Sequence, residues 1–126
     1  MHLEERRRKR SHDPLVALHY QLAYARKDGH LDAIVVADAS GVMVAGAGSW
    51  ATCEELAAYA PLFAQASDVM NRTTASRVDA LRRHVDVKRL LVDGQEVLVC
   101  ARGGAMRSLS LDQAAFGVAR ILRPAA

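Results

Sequence analysis

The alternation of apolar and polar positions marks two β-hairpins with one helix between them. The first is the run Leu31 to Ala37, the turn Asp38-Ala39-Ser40-Gly41 and the run Val42 to Ala47. Gly41 stands where a bulged turn needs a left-handed residue. The second pairs Val87 to Val92 with Gln95 to Ala101 across Asp93-Gly94, the two-residue signal for a type I′ turn whose twist matches that of its strands. An antiparallel sheet follows. Within it, Ala33 to Ala37 is apolar at every position, which suits a central strand covered on both faces by helices.

Helical spacing fills in the rest. Asp13-Pro14 is a start pair, because the carboxylate can cap free amides and proline tolerates the first helical position. Leu15, Leu18, Leu22 and Ala25 then form one stripe, and Asp28-Gly29 predicts its end in a left-handed residue. Thr52-Cys53-Glu54-Glu55 reads as a capping box opening a second helix. Leu56, Tyr59, Ala60, Phe63 and Ala66 or Ser67 mark its core side, while Ala57, Ala60 and Ala64 leave room for another backbone. Pro61 removes the amide that would bond Ala57, so a kink or break is expected there. From Ser67 to Val85 the pattern stays ambiguous: Asn71 to Thr74 reads as loop, and Val78, Leu81 and Val85 fit helix or strand alike. After the second hairpin, Gly103-Gly104 breaks the chain. Ser110-Leu111-Asp112-Gln113 predicts a last capping box, with Leu111, Ala115, Val118 and Leu122 buried and Pro124 as the stop. Gly117 weakens that helix by about 1 kcal/mol relative to alanine, which is acceptable if the helix lies tightly on the sheet.

At 126 residues, 51% of them hydrophobic, the chain is sized for one domain, taken as residues 13–126. No apolar stretch approaches the roughly 20 residues of a membrane span, and the N-terminus opens with charges, so a cytoplasmic protein is expected. Cys53 and Cys100 have no CxxC or Cys/His spacing; neither disulfide framework nor zinc site is signalled. The formal net charge of +3 resides in residues 1–12, where Arg6, Arg7, Arg8, Lys9 and Arg10 oppose Glu4 and Glu5. The remainder is balanced. Such an arm lacks apolar residues to bury and reads as a solvated tail; its other reading is attachment to nucleic acid or anionic membrane. One Trp and two Phe give the folded part no stacking platform for nucleic acid.

Candidate chemistry is sparse. Cys53 sits at a predicted helix start, where the dipole would lower its pKa, but His19, His30 and His84 have no spacing that ties one to it, and a buried, inert thiol is the plainer reading. Gly46-Ala47-Gly48-Ser49 could present amides to a phosphate, yet it lacks the P-loop lysine and the third dinucleotide-fingerprint glycine, so strand-end glycines explain it better. Trp50 either fills the core edge or anchors a partner. Asp38 and Asp93 are turn formers first, with no convergent metal ligands in view. No catalytic, cofactor-binding or metal residue is assigned.

The order helix, hairpin, helix, ambiguous segment, hairpin, helix resembles the Roadblock family of dynein-light-chain-like regulators. The likeness covers about Leu15 to Ala101. It rests on the helix Leu15 to Arg26, DAIVVADASGVMVAGAG at Asp32 to Gly48, EELAAYA at Glu54 to Ala60 and VKRLLVDGQEVLVCARGG at Val87 to Gly104. The resemblance implies a profilin- or longin-like α+β fold: an antiparallel sheet of four to five strands, a long helix between two hairpins, and flanking N- and C-terminal helices. Relatives carry three strands after the long helix, so either a fifth strand is expected between Arg77 and Val85 or the chain is a trimmed variant of the family. Family resemblance also implies a non-enzymatic homodimer that binds a Ras-like small GTPase as regulator or scaffold, with bacterial relatives that stimulate GTP hydrolysis in motility. Long helices and edge strands would join the two copies. On that basis self-association is assigned to Leu56, Ala57, Ala60, Phe63 and Ala64, then Val87, Arg89 and Leu91. No small-molecule substrate or cofactor is expected.

Overall fold

The all-apolar run Ala33 to Ala37 forms β1 (Ala33–Asp38), and β1 lies inside the sheet with helices on both faces. The computed structural model describes residues 13–65 and 84–123. In chain order the elements are α1 (Pro14–Asp28), β1, β2 (Met43–Ala47), α2 (Trp50–Gln65), β3 (Val85–Val92), β4 (Gln95–Arg102) and α3 (Arg107–Leu122). Among the described residues the sheet has four strands in the order β2-β1-β4-β3, and every neighbouring pair is antiparallel. The arm at residues 1–12, most of the ambiguous segment with its expected fifth strand, and Pro124 lie outside the described residues. Val85, at the end of that segment, opens β3.

Side chains alternate across β1 and so feed two separate cores. Ile34 and Val36 pack with Val99, Ala101 and Ala45 under α1 and α3, around Leu18, Leu22, Leu111 and Val118. Ala33, Val35 and Ala37 pack with Leu98 and Cys100 under α2, around Cys53, Leu56, Ala60 and Phe63. Both hairpin turns follow the expected chemistry. Gly41 is left-handed at φ 90, and Asp93-Gly94 turns with φ 52 and 79, as a type I′ turn requires.

The helix boundaries depart from the capping patterns. Pro14 does open α1, but the Asp13 side chain makes no capping bond. Leu15 is 52% exposed, because the helix reaches the core only from Leu18 onward. Gly29 keeps a right-handed backbone, and the left-handed residue is His30 at φ 52. Gly29 is instead a packing glycine, since a Cβ there would collide with Ser110 Oγ of α3. At the other end of α3, a Cβ on Gly117 would come within 2.5 Å of Gln21 on α1. Gly117 therefore serves helix–helix approach rather than contact with the sheet.

Ser49, not Thr52, caps α2. The Thr52 amide donates to Ser49 Oγ at 3.2 Å, the Ser49 hydroxyl donates to Thr52 Oγ1 at 2.8 Å, and the Cys53 amide donates to the Ser49 carbonyl at 3.0 Å. Pro61 does not break the element into two, because α2 runs unbroken from Trp50 to Gln65. Burial of Leu56, Ala57, Ala60 and Phe63 on the sheet offsets the missing amide bond. The final helix begins at Arg107, a turn earlier than its apparent box. Ser110 is inside it, buried, with its amide bonded to the Met106 carbonyl at 3.1 Å.

Candidate interaction surface

Strand β3 forms one margin of the described sheet, and its eight residues pair without interruption from Val85↔Arg102 to Val92↔Gln95. Its charged side chains are held down onto the two faces. Asp86 accepts from Arg107 Nε at 3.0 Å, and Lys88 Nζ donates to Asp112 at 2.8 Å, both toward α3. On the opposite face, Arg89 Nη2 donates to the Ala64 carbonyl at 2.8 Å and Nε lies 3.5 Å from Glu96. The Ala64 carbonyl belongs to the last turn of α2, where carbonyls lack helical partners and a cation is favoured. Beyond Arg89 on that face, Leu91 is 77% exposed. An apolar side chain on a strand margin is a site that a soluble sheet ordinarily guards.

The structure divides the residues assigned to self-association. Leu56, Ala57, Ala60 and Phe63 are buried against the molecule's own sheet, and Ala64 and Val87 are half-buried beside the same core. Small residues at positions 57 and 60 thus bring α2 close to its own strands. Only Arg89 and Leu91 of the set are exposed. The outward side of α2 is instead formed by Ala51, Glu54, Glu55, Ala58 and Leu62. That stripe was readable as the complement of the core stripe, at the same period, once the direction of the sheet was known.

The candidate chemistry resolves into packing. Cys53 is buried, and burial pushes its thiol pKa up, against any lowering by the helix start. Cys100 is fully buried, and desolvation pushes its pKa up to about 12. Neither is a reactive thiolate at neutral pH. His19 reaches from α1 to within 3.2 Å of the Gly46 carbonyl, on the far side of the sheet from Cys53. A Cβ on Gly46 would lie 3.2 Å from Cys53 Sγ, Met43 Sδ and Val35 Cγ1, so this glycine sits in tight packing between its own sheet and α2. Trp50 is 67% exposed and fills no core edge. Asp38 organises its turn: Oδ1 accepts from the Ser40 hydroxyl at 2.6 Å and from the Ser40 and Val42 amides. These bonds, the Ser40 hydroxyl first, lower the Asp38 pKa.

A shallow depression at the start of α3 is lined by Asp86, Met106, Arg107, Leu109 and Asp112 among others. Its charged groups are the ones already engaged in the ion pairs to β3. Among the described residues, no three His, Cys, Asp or Glu side chains converge as metal ligands do, and no helix is long and apolar enough to cross a membrane.

No protein-family model and no curated protein sequence matches the chain. Comparison of folds does find a relative in shape: Myxococcus xanthus MglB, with a TM-score of 0.51 and 13% identity over 85% of this chain and 88% of that one. Helices on both faces of an antiparallel sheet, a long helix between two hairpins and a closing helix give this chain a Roadblock/MglB-like α+β fold.

Proposed function

We propose that the chain is a non-enzymatic, cytoplasmic binding module that works as a homodimer and regulates or scaffolds a Ras-like small GTPase, as Roadblock-type regulators do in bacterial polarity, motility or signalling. The observation that carries this reading is the shared fold with MglB across most of both chains. The exposed Leu91 on an uninterrupted strand margin supports self-association. In this reading two copies meet through the β3 side of the sheet and the outward stripe of α2, with Val87, Arg89 and Leu91 at the seam and Ala58, Leu62 and Ala64 beside it. The dimer then offers a surface that orders the switch loops of a GTPase, and the GTPase supplies the hydrolytic groups.

The test is direct binding of the purified chain to each Ras-like GTPase of its own cell, loaded with a GTP analogue or GDP, with GTP hydrolysis followed in parallel. Nucleotide-dependent binding of one GTPase is expected, with hydrolysis either stimulated or unchanged. Absence of binding to all of them in both nucleotide states would refute the assignment.

A further inference from the structure

The two helical layers differ in charge and in the number of aromatic rings they expose: among the described residues α2 exposes Trp50 alone, and the opposite layer exposes Tyr20, Tyr24 and Phe116. On its own, α2 carries Glu54 and Glu55 and no Lys or Arg. The opposite layer is positive. It carries Arg26 and Lys27 at the end of α1, Arg107 and Arg120 on α3 and Arg123 at its C-cap, against Asp13 at the N-cap of α1, Asp28 and Asp112. Asp112 is neutralised by Lys88 from the sheet, and Arg107 by Asp86.

This positive layer also exposes aromatic rings. Tyr20 is 74%, Tyr24 68% and Phe116 75% exposed. Their helical positions set them away from the buried stripes Leu18-Leu22-Ala25 and Leu111-Ala115-Val118. The helices lie antiparallel and close, since Gln21 faces Gly117 and Ser110 faces Gly29. Together they make a raft roughly 22 Å long, at 1.5 Å per residue. Rings that protrude from such a raft have no use for a pocket; they suit a surface into which they can sink. Exposed aromatics flanked by Lys and Arg are the side chains that partition into the headgroup zone of a bilayer, and their cationic neighbours add attraction to anionic lipid.

We propose that the outer face of α1 and α3 docks on an anionic lipid surface, with Tyr20, Tyr24 and Phe116 entering the headgroup layer and Lys27, Arg120 and Arg123 facing lipid phosphates. The acidic α2 layer then points away from the membrane. This leaves the surface assigned above to a second copy free.

The experiment is sedimentation of the full chain with vesicles of phosphatidylcholine alone and of phosphatidylcholine with about 30% phosphatidylserine, whose negative surface potential attracts basic segments. Binding to the anionic vesicles is expected, weakening as salt rises from about 0.05 to 0.5 M. The triple variant Tyr20→Ser, Tyr24→Ser, Phe116→Ser should lower the partition coefficient by about tenfold or more, and Lys27→Glu with Arg120→Glu should do the same while circular dichroism stays unchanged. These sites are exposed, so the variants are expected to fold, and a Phe116→Ser single variant with a smaller loss serves as a check. No binding to anionic vesicles, equal binding to neutral ones, or full binding by the aromatic variant would overturn the proposal. So would binding of these residues to a short DNA duplex in preference to the vesicles.

Discussion

The two margins of the described sheet are built in opposite ways. At one, β2 has five residues and its register slips: Val36 pairs with Ala45 but Ala37 with Met43, leaving Val44 as a bulge. His19 from α1 covers the Gly46 carbonyl on the same strand. At the other, β3 runs eight residues in unbroken register and carries an exposed Leu91 next to its end. Short, bulged and covered edges resist pairing with other chains, whereas long regular ones invite it. Among the described residues, the contrast teaches which margin is closed and which is open. Charges do not close the β3 side, because Asp86, Lys88 and Arg89 are drawn onto the faces by α3 and by the end of α2.

Both margins hang on the strands between them, so the largest effect is expected from the centre. Leu98→Ala, at a fully buried β4 position, should cost about 2–5 kcal/mol in urea denaturation; a loss under 1 kcal/mol would mean that the α2 face is not the tight core described. On the closed side, Gly46→Val places methyl groups where even a Cβ meets Cys53, Met43 and Val35 at 3.2 Å. Overpacking should lower stability by about 1–3 kcal/mol. On the open side, Leu91→Glu should leave urea stability of the protomer near wild type and raise the dimer dissociation constant about tenfold, or about 1.4 kcal/mol. Sedimentation velocity across a concentration series reads that difference. Ser49→Ala should cost about 1 kcal/mol through loss of the α2 cap, and Thr52→Ala less, a ranking opposite to the one the capping-box pattern implies.

A further effect is one of pH, felt only in alkaline solution. Cys100 has its folded pKa raised to about 12 from 9.0 by burial, so its neutral thiol favours the folded state fully below pH 9.0. That contribution is lost as pH rises through the folded value. Wild type should lose stability above pH 9.0 more steeply than Cys100→Val does, as followed by denaturation at successive pH values. Parallel slopes for the two proteins would show that the thiol is not protected.

Which features the sequence disclosed depends on whether their cause was local. The Asp93-Gly94 turn and the left-handed Gly41 depend on backbone geometry within a few residues, and the all-apolar β1 run reports coverage on both sides; each reads directly. Helix starts misled because the S/T-x-x-E/Q pattern has the same spelling at a cap and inside a first turn. Ser49 outcompetes Thr52 by position, and Ser110 is buried against Gly29 because α1 passes there. Gly29 and Gly117 likewise owe their identity to a helix distant in sequence. The surface was legible only in part for the same reason. Leu56, Ala57, Ala60 and Phe63 repeat with the period that either a core or an interface would use, and only the position of the sheet decides between them.

The account centres on a chain that works as a pair, joined on its open side. Sedimentation equilibrium of the full chain at micromolar concentration tests this most directly: the account predicts a species of twice 13.7 kDa. A single species at the mass of one chain throughout that range would contradict it.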